Sequence, residues 1–494
     1  MGLKEDADFA RYLSMGAVGT AAVATDLRDR FGHQPVELER YSMANKIWTV
    51  KVKRLRIPDL LCVRCGRRVE SKAKSNLEVK LSDSATVGRE WHAGGLRADD
   101  LVAFVRVHFL DTMPVAGSPA YFTAEGLKAS VDHARKGTRK SPSQGAEVDI
   151  SWPVWVPTTD GTFIGIRSGH LIYRDARGLE RDYWYSKNWP AIHPYLGEGQ
   201  AFVADGTIVA GVVPSAGNPT CPHGGWDVAK DLESASETDL YAAIKAVGIL
   251  GEDGYTLDLA AISAGGHPDW RIQLEALGSL ARLDPDSWTN RLAQVAADIE
   301  RPLEVQMEAV FILSEIPSPL AAQGLADVAQ AVPGRHDEVR SAALWGLGTG
   351  AHPEPSIVLK YITDPSDQVA LHAAAALDDI TDPIAEILVE SLGRDDRAAA
   401  VSAAILAKQR RIPELLSVAG SQSEGRLWAL RALGDLPPAD VMESVGQQLD
   451  PSIREALDPI WVQNRDWLRT EKIPGPLDVL AAQRVRFDPI NPHT

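Results

Sequence analysis

The 494 residues exceed what one hydrophobic core organises, and at roughly 150 residues per folding unit they divide into about three. With 45% apolar and 24% charged residues the chain is neither disordered nor fibrous, and its 3 cysteines exclude a disulfide-dense secreted scaffold. The 51 basic and 67 acidic side chains leave a formal charge of −16, which argues against a protein coated in nucleic acid. The average hides a local reversal, because residues 41–80 carry eleven basic residues against Asp59, Glu70 and Glu78, a local +8 in a chain whose remainder sums to −24. That distribution either confines a polyanion to one region or docks the basic segment on acidic parts of the same chain. The opening residues MGLKEDADFA are charged where a signal peptide is apolar, and no run approaches the roughly 18 apolar residues of a membrane span. The expectation is a cytoplasmic, reducing compartment without membrane attachment.

In chain order, the first block, residues 1–140, mixes helix and strand patterns and reads as an α/β domain. A helix rich in small residues is expected from Phe9 to Arg30, followed by a short helical piece opened by Pro35 at a permissive first-turn position. The segment IWTVKVKRLRIPDLLCVRCGRRVESKAK then reads as strand, its second half as two strands joined by a tight turn at RCGR. Residues 101–110 predict a buried strand, and residues 123–137 a helix with Thr123 as N-cap, Glu125 in the first turn and Gly137 at its C-terminal end. Residues 141–235 predict a β-rich domain of short strands, with Asp160-Gly161 and Asp205-Gly206 as hairpin-type turns. Its segment RDYWYSKNWPAIHPY is either a recognition surface or the core of that domain. Residues 236–470 are helical and repetitive, with one unit recurring at 267–283, 301–316, 335–348, 365–380, 393–408, 423–436 and 450–461. Aligning Ile272, Val305, Val339, Val369 and Ala399 gives steps of 33, 34, 30 and 30 residues. The pattern resembles HEAT repeats, which stack helix pairs into a curved solenoid. Without a long polar linker between 267 and 461 one continuous all-α solenoid is expected, ahead of a tail at 471–494.

The chemistry concentrates in RIPDLLCVRCGRRVESKAK. Glu70 and Lys72 stand two apart on one strand and share a face. If the RCGR turn folds that strand back, Asp59 converges with Glu70 on one divalent cation, beside Lys72. Two carboxylates offer hard oxygen ligands to Mg²⁺ or Mn²⁺, which lowers the pKa of a bound water, and a lysine orients that water or offsets charge on the phosphorane. Glu78 and Lys80 repeat the same spacing and form a competing pair, and the plain alternative is a surface ion pair between Glu70 and Lys72 on a basic hairpin.

Pro58-Asp59, ten residues, then Glu70-Ser71-Lys72 resembles the PD-(D/E)xK motif of restriction-endonuclease-like nucleases. The resemblance spans residues 1–140 and implies an α-β-β-β-α-β core in which Asp59 and Glu70 hold the metal and Lys72 assists the attacking water. It also implies another acidic residue from the preceding helix, for which Glu37 and Glu39 are available and Glu37 is preferred. The implied activity is metal-dependent hydrolysis of DNA, with double-stranded DNA the expected partner, in bacterial defence against foreign DNA. Cutting both strands would call for a homodimer. The middle domain or the solenoid would recognise the target, or hold the nuclease inactive until a protein partner arrives.

Cys62 and Cys65 form a thiolate turn, CVRCG, in which Gly66 can take positive φ. Structural Zn²⁺ needs four ligands, and NPTCPHGG supplies the remaining cysteine and a histidine. The expected set is Cys62, Cys65, Cys221 and His223, clamping the second block onto the first; a redox pair or an apolar lining are the alternatives. His92 is a further candidate for contact with phosphate. No phosphate-binding loop for ATP is present. Two rivals to the nuclease follow: a non-enzymatic zinc-stabilised scaffold that binds DNA or an acidic protein, and a HEAT-like DNA glycosylase, which the lack of a basic stripe along the repeats disfavours.

Overall fold

The computed structural model describes residues 3–38, 55, 57–84, 91, 95–110, 113–137, 147–185, 189, 192–214, 217–377, 380–394, 396–446 and 448–469. They build a mixed α/β region, a β-rich middle and a long run of helices. Two compact units result, one chiefly from the described residues of Tyr12–Ala44 and Lys53–Tyr255, the other chiefly from those of Thr256–Pro489. Glu39 and His92 lie outside the described residues, as does most of the basic stretch before Leu55.

The first unit is organised by a mixed sheet. Strands β1 (Pro35–Glu37), β2 (Leu60–Cys62), β3 (Arg68–Lys74), β5 (Leu101–Leu110) and β6 (Met113–Ala116) follow one another across it, and β7 (Ala120–Thr123) also pairs with β5. Neighbours run antiparallel except β3 and β5, which are parallel with Val69 opposite Leu101 and Lys72 opposite Phe104. Helix α1 (Leu3–Phe31) covers one face, packing Met15, Val23 and Leu27 on Leu60, Val69, Ala103 and Val105. Its small residues permit the approach: a Cβ on Gly19 would lie 2.7 Å from the Cβ of Ala73. The opposite face carries Val102, Phe104 and Phe122, which pack with Val79, Leu81, Ile150 and Trp152 of a second sheet in the order β4 (Val79–Ser84), β9 (Glu147–Trp152), β8 (Arg135–Lys136). The first sheet is thus covered on both faces, and Leu101–Val105 of β5 are buried without alternation.

Three local expectations are corrected. Pro35 opens a strand, not a helix: Pro35 pairs with Cys62 and Glu37 with Leu60, and a proline is tolerated there because β1 is the edge of the sheet. The helix begun by Thr123, whose side chain caps Gly126 N at 3.0 Å, ends at Ala129, and Arg135–Lys136 pair with β9 instead. Ser130 Oγ ends it by donating to the Gly126 carbonyl at 2.8 Å. Neither Asp160-Gly161 nor Asp205-Gly206 joins paired strands; the two-residue hairpin is Ser168-Gly169, both at positive φ, between β11 (Gly161–Arg167) and β12 (His170–Asp175). Asp160 instead accepts a hydrogen bond from Ala204 N at 2.8 Å.

In the β-rich middle, β13 (Glu180–Trp184) is the edge of the sheet β13-β12-β11-β15, with β15 at Ala201–Phe202. Trp155, Phe163, Leu171 and Phe202 form its core, on which Tyr183 stacks against Trp155 at 5.0 Å. The aromatic segment therefore contributes Tyr183 to that core, while the next residue, Trp184, is 57% exposed. Helices α2 (Ala124–Ala129), α3 (Val228–Leu232) and α4 (Glu237–Leu250) complete the unit.

All seven repeated sequences fall on helices of the second unit: α5 (Trp270–Leu283), α7 (Leu303–Ser314), α9 (Asp337–Thr349), α11 (Asp367–Ala376), α13 (Asp396–Lys408), α15 (Arg426–Gly434) and α17 (Pro451–Arg469). Each packs on the next, so they form one unbroken row. A second layer interleaves α6 (Pro285–Ala297), α8 (Pro319–Ala329), α10 (Pro355–Val358), α12 (Asp382–Ser391), α14 (Ile412–Ala419) and α16 (Pro438–Ser444). Ile272, Val305, Val339, Val369 and Ala399 are all buried, and a Cβ on Gly278 would meet Ile312 at 2.3 Å, which is why small residues recur at the stacking positions. The layout is solenoid-like.

The contact of α1 with β3 gives a paired expectation. Gly16 has open space around it, so Gly16→Ala should stabilise by about 0.5–1 kcal/mol through helix propensity. Gly19→Ala, forced against Ala73, should instead destabilise by about 1–3 kcal/mol. Urea titrations of the two variants read the opposite signs directly.

Candidate metal centre and adjoining cleft

The end of α1 and the β2–β3 turn are brought together by strand pairing. Gly32 at φ +71° ends the helix, and the N–H of His33 reaches back to the Leu27 carbonyl at 3.0 Å. Because Pro35 pairs with Cys62, His33 is delivered beside the turn that holds Cys62 and Cys65. Cys221 arrives from residues 217–226, where its N–H bonds the Phe31 carbonyl at 2.9 Å and Arg67 Nη1 donates to the Asn218 carbonyl at 2.9 Å. One ligand atom from each of His33, Cys62, Cys65 and Cys221 lies within 4.8 Å of the others, with all but Cys65 buried. Such a group can coordinate a metal ion.

The three cysteines were expected together, and they are; the histidine is corrected from His223 to His33. His223 sits at φ +53° with its ring turned over Gly32, and it contributes only its backbone N–H, which donates to Cys221 Sγ at 3.4 Å. His33 Nε2 stands 2.6 Å from the Pro219 carbonyl, which can only accept, so that nitrogen carries the proton and Nδ1 faces Cys65 Sγ at 3.7 Å. Gln34 N donates to Cys62 Sγ at 3.4 Å. The Cys65 hydrogen bond, helped by His33 and Gln34, pulls the Cys62 thiol down to about 3, while the bond to Cys62 and burial push Cys65 up. Burial, with the Cys62 charge nearby, also raises Cys221. Thiols this close compete for one negative charge unless a cation joins them. Gly66 completes the turn at φ +71°, and Trp226 lies so near that any Cβ would meet its ring at 2.5 Å.

From this turn β3 runs on to the carboxylates. The β2–β3 register continues from Leu60–Val69 to bring Asp59 beside Glu70, and Asp59 Oδ2 accepts the Ser71 N–H at 2.8 Å. Lys72 Nζ is ion-paired and hydrogen-bonded to Glu70 Oε1. Burial raises the Glu70 pKa, with the Asp59 charge adding to it and Lys72 opposing it. Asp59, Glu70 and Lys72 are thus brought together. Glu37 is not brought to them: it pairs with Leu60, which pairs with Val69, so its register position belongs to the face that α1 covers. Nor does it come from a helix. Lys80 pairs with Asp149 at 3.0 Å across β4 and β9, in the second sheet. Between the sheets lies a cleft of about 240 Å³ lined by Glu70, Lys72, Lys74, Lys80, Ser82 and Trp91, among others.

An ionic network anchors the start of β3. Arg68, 1% exposed, pairs with Asp239 and donates to the Gly95 carbonyl at 2.9 Å. Asp239 also holds Arg97 at 3.0 Å, Arg97 holds Asp231 at 2.6 Å, and Asp231 accepts from Trp226 Nε1 at 2.7 Å. Sequence reasoning missed both His33 and this network. The signal for His33 was a glycine helix end directly before it; the network joins Arg97 to Asp231 and Arg68 to Asp239 across 134 and 171 residues and left no local signal.

No protein-family model matches the chain, and no curated protein does. Among solved structures, the chain is similar to the Escherichia coli protein YibA at 15% identity and TM-score 0.27, over 47% of this chain and 91% of that one. It is also similar to an engineered protein at 14% identity and TM-score 0.23, over 53% and 87%. A designed armadillo repeat protein matches at 13% identity and TM-score 0.17, over 53% and 98%. At these scores the likenesses carry no argument.

The two histidines separate cleanly by experiment. His33→Ala should lower the bound metal per chain and the melting temperature together, whereas His223→Ala should leave metal content unchanged. Elemental analysis of both purified variants beside the wild type checks this.

Proposed function

We propose that the first unit is a zinc-stapled DNA-binding module and that the acidic helical run serves as a scaffold for a protein partner. The observation that carries the proposal is the Cys62, Cys65, Cys221 and His33 group, tied through a single strand, β3, to a cleft walled by lysines. Three sulfurs and a neutral imidazole suit Zn²⁺ above the hard cations. The 3.7 Å separation of Cys65 Sγ and His33 Nδ1 is close to the roughly 3.6 Å edge of a tetrahedron with Zn–S of about 2.3 Å and Zn–N of about 2.1 Å. Zn²⁺ there would neutralise the thiolates and hold the residues 217–226 to the β2–β3 turn. Lys72, Lys74 and Lys80 then offer positive charge to a phosphate backbone.

Charge supports the division of labour. Residues 1–255 hold 31 basic and 32 acidic side chains, whereas residues 256–469 hold 17 basic and 32 acidic, a net −15. Such a helical run repels a polyanion, which weighs against the glycosylase reading and favours a basic protein surface as its partner. Among the described residues no helix is long and apolar enough to cross a membrane.

A second reading, favoured by the meeting of Asp59, Glu70 and Lys72 at the cleft, adds hydrolysis of the bound DNA. The parallel pairing of β3 with β5 is compatible with the nuclease resemblance, whereas the described residues between them form β4 and no α-helix, unlike the α-β-β-β-α-β order it implies. In that reading Asp59 and Glu70 hold Mg²⁺ or Mn²⁺, whose chemistry is to acidify water and polarise a phosphate oxygen. Lys72 positions the water and offsets charge on the phosphate.

Incubating the full-length protein with labelled duplex and with supercoiled plasmid, with Mg²⁺ or Mn²⁺ or a chelator, separates the readings. Binding without cutting supports the scaffold. Metal-dependent cutting that Glu70→Gln abolishes, while binding persists, supports the nuclease. A zinc-replete protein that binds no DNA even at low salt contradicts both.

A further inference from the structure

Among the described residues, one lysine of the cleft makes no ion pair. Of its three lysines, Lys72 is paired with Glu70, and Lys80 with Asp149 at 3.0 Å. Lys74 projects from β3 on the same face as Glu70 and Lys72, and it has no ion pair or hydrogen bond of its side chain among the described residues. It is half-buried in the cleft wall. Opposite it in the parallel register stands Arg106, which already gives Nη1 to the Asp205 carbonyl at 3.1 Å. Burial holds the Lys74 ammonium below the ordinary lysine value; Glu78 and, less, Asp149 pull it up, while Lys80 and Lys72 push it down. A desolvated cation among like charges is costly unless an anion completes the group.

We infer that Lys74, with Lys80 across the cleft, seats a phosphate group, and that in bound DNA this is a backbone phosphate next to the one facing Glu70 and Lys72. The inference rests on the DNA-binding reading and adds to it the residue that tracks the strand away from the carboxylates. Two facing sheets supply the two ammonium groups, so the seat exists only when β4 and β3 are held apart by the core of Leu81, Val102 and Trp152. The Ser82 hydroxyl on the same wall is of a kind that can add a neutral donor. The cleft, about 240 Å³ and lined by Lys72, Lys74, Lys80 and Ser82, has volume for a tetrahedral anion, which offers more acceptor oxygens than a carboxylate.

The full-length protein, its Lys74→Gln variant and its Lys74→Arg variant test this by two readouts. In melts at constant ionic strength, inorganic phosphate replacing chloride should raise the melting temperature of wild type and of Lys74→Arg but not of Lys74→Gln. Without phosphate, Lys74→Gln should melt at or above wild type, because a buried like charge is gone, and this also shows that the variant folds. In titrations of a labelled duplex against salt, the slope of log Kobs against log[salt] should shrink by about 0.9 in Lys74→Gln and not in Lys74→Arg. If wild type binds DNA but Lys74→Gln keeps its slope and its phosphate response, the seat is refuted and the DNA-binding reading stands. If wild type binds no DNA yet phosphate stabilises it through Lys74, the seat stands and the reading falls. If neither DNA nor phosphate has any effect, the seat is refuted together with the reading.

Discussion

The first unit depends on bringing four ligand atoms from three distant segments to one point. His33 ends α1, Cys62 and Cys65 bracket the first turn of a hairpin, and Cys221 lies some 155 residues on. Closing so long a loop costs conformational entropy that a few backbone hydrogen bonds only partly offset, and crowding three buried thiols adds an electrostatic cost. A divalent cation reverses both at once. The position of β3, and with it Glu70, Lys72 and Lys74 of the cleft, is tied to that closure.

The cluster does not act alone on β3. Trp226 lies over Gly66 and bonds Asp231, and from Asp231 the chain of charges runs through Arg97 and Asp239 to Arg68, the first residue of the strand. Asp100 closes it by accepting the backbone N–H groups of Arg68 and Arg97 at 2.8 and 2.7 Å. A buried arginine with each end engaged adds little net stability over an apolar core, but losing one partner leaves an uncompensated charge, which makes the arrangement specific. The strand that carries Glu70, Lys72 and Lys74 thus starts between the histidine–cysteine cluster on one side and ion pairs on the other.

Much of this was legible in the residues. The RCGR turn marked β3, the continuous apolar run 101–110 marked β5, the small-residue pattern marked α1, and the recurrence of Ile272, Val305, Val339, Val369 and Ala399 marked the stacked helices, because each is a local signal that packing reinforces. The convergence of Asp59, Glu70 and Lys72 was legible for the same reason, since one tight turn joins their strands. The fourth metal ligand was not. Reading Pro35 as a helix start hid the pairing of Pro35 with Cys62, and that pairing alone carries His33 to the cysteines. Proximity in sequence then favoured His223, whose positive φ turns the ring onto Gly32 instead. Lys80 shows the same limit: its partner Asp149 is separated from it by almost 70 residues and is reached only through the β4–β9 register.

Two chemistries of opposite character therefore sit at the two ends of β3, soft donors buried at its start and hard, charged groups at the cleft. In the proposed reading a metal at the soft end would leave the carboxylates and lysines to meet phosphate, and would put structural integrity and nucleic-acid contact on separable residues. The most direct test of this arrangement is X-ray absorption at the zinc edge on the purified full-length protein. The account expects a shell of three sulfurs at about 2.3 Å and one nitrogen at about 2.1 Å. A zinc shell of oxygen and nitrogen without sulfur would contradict it.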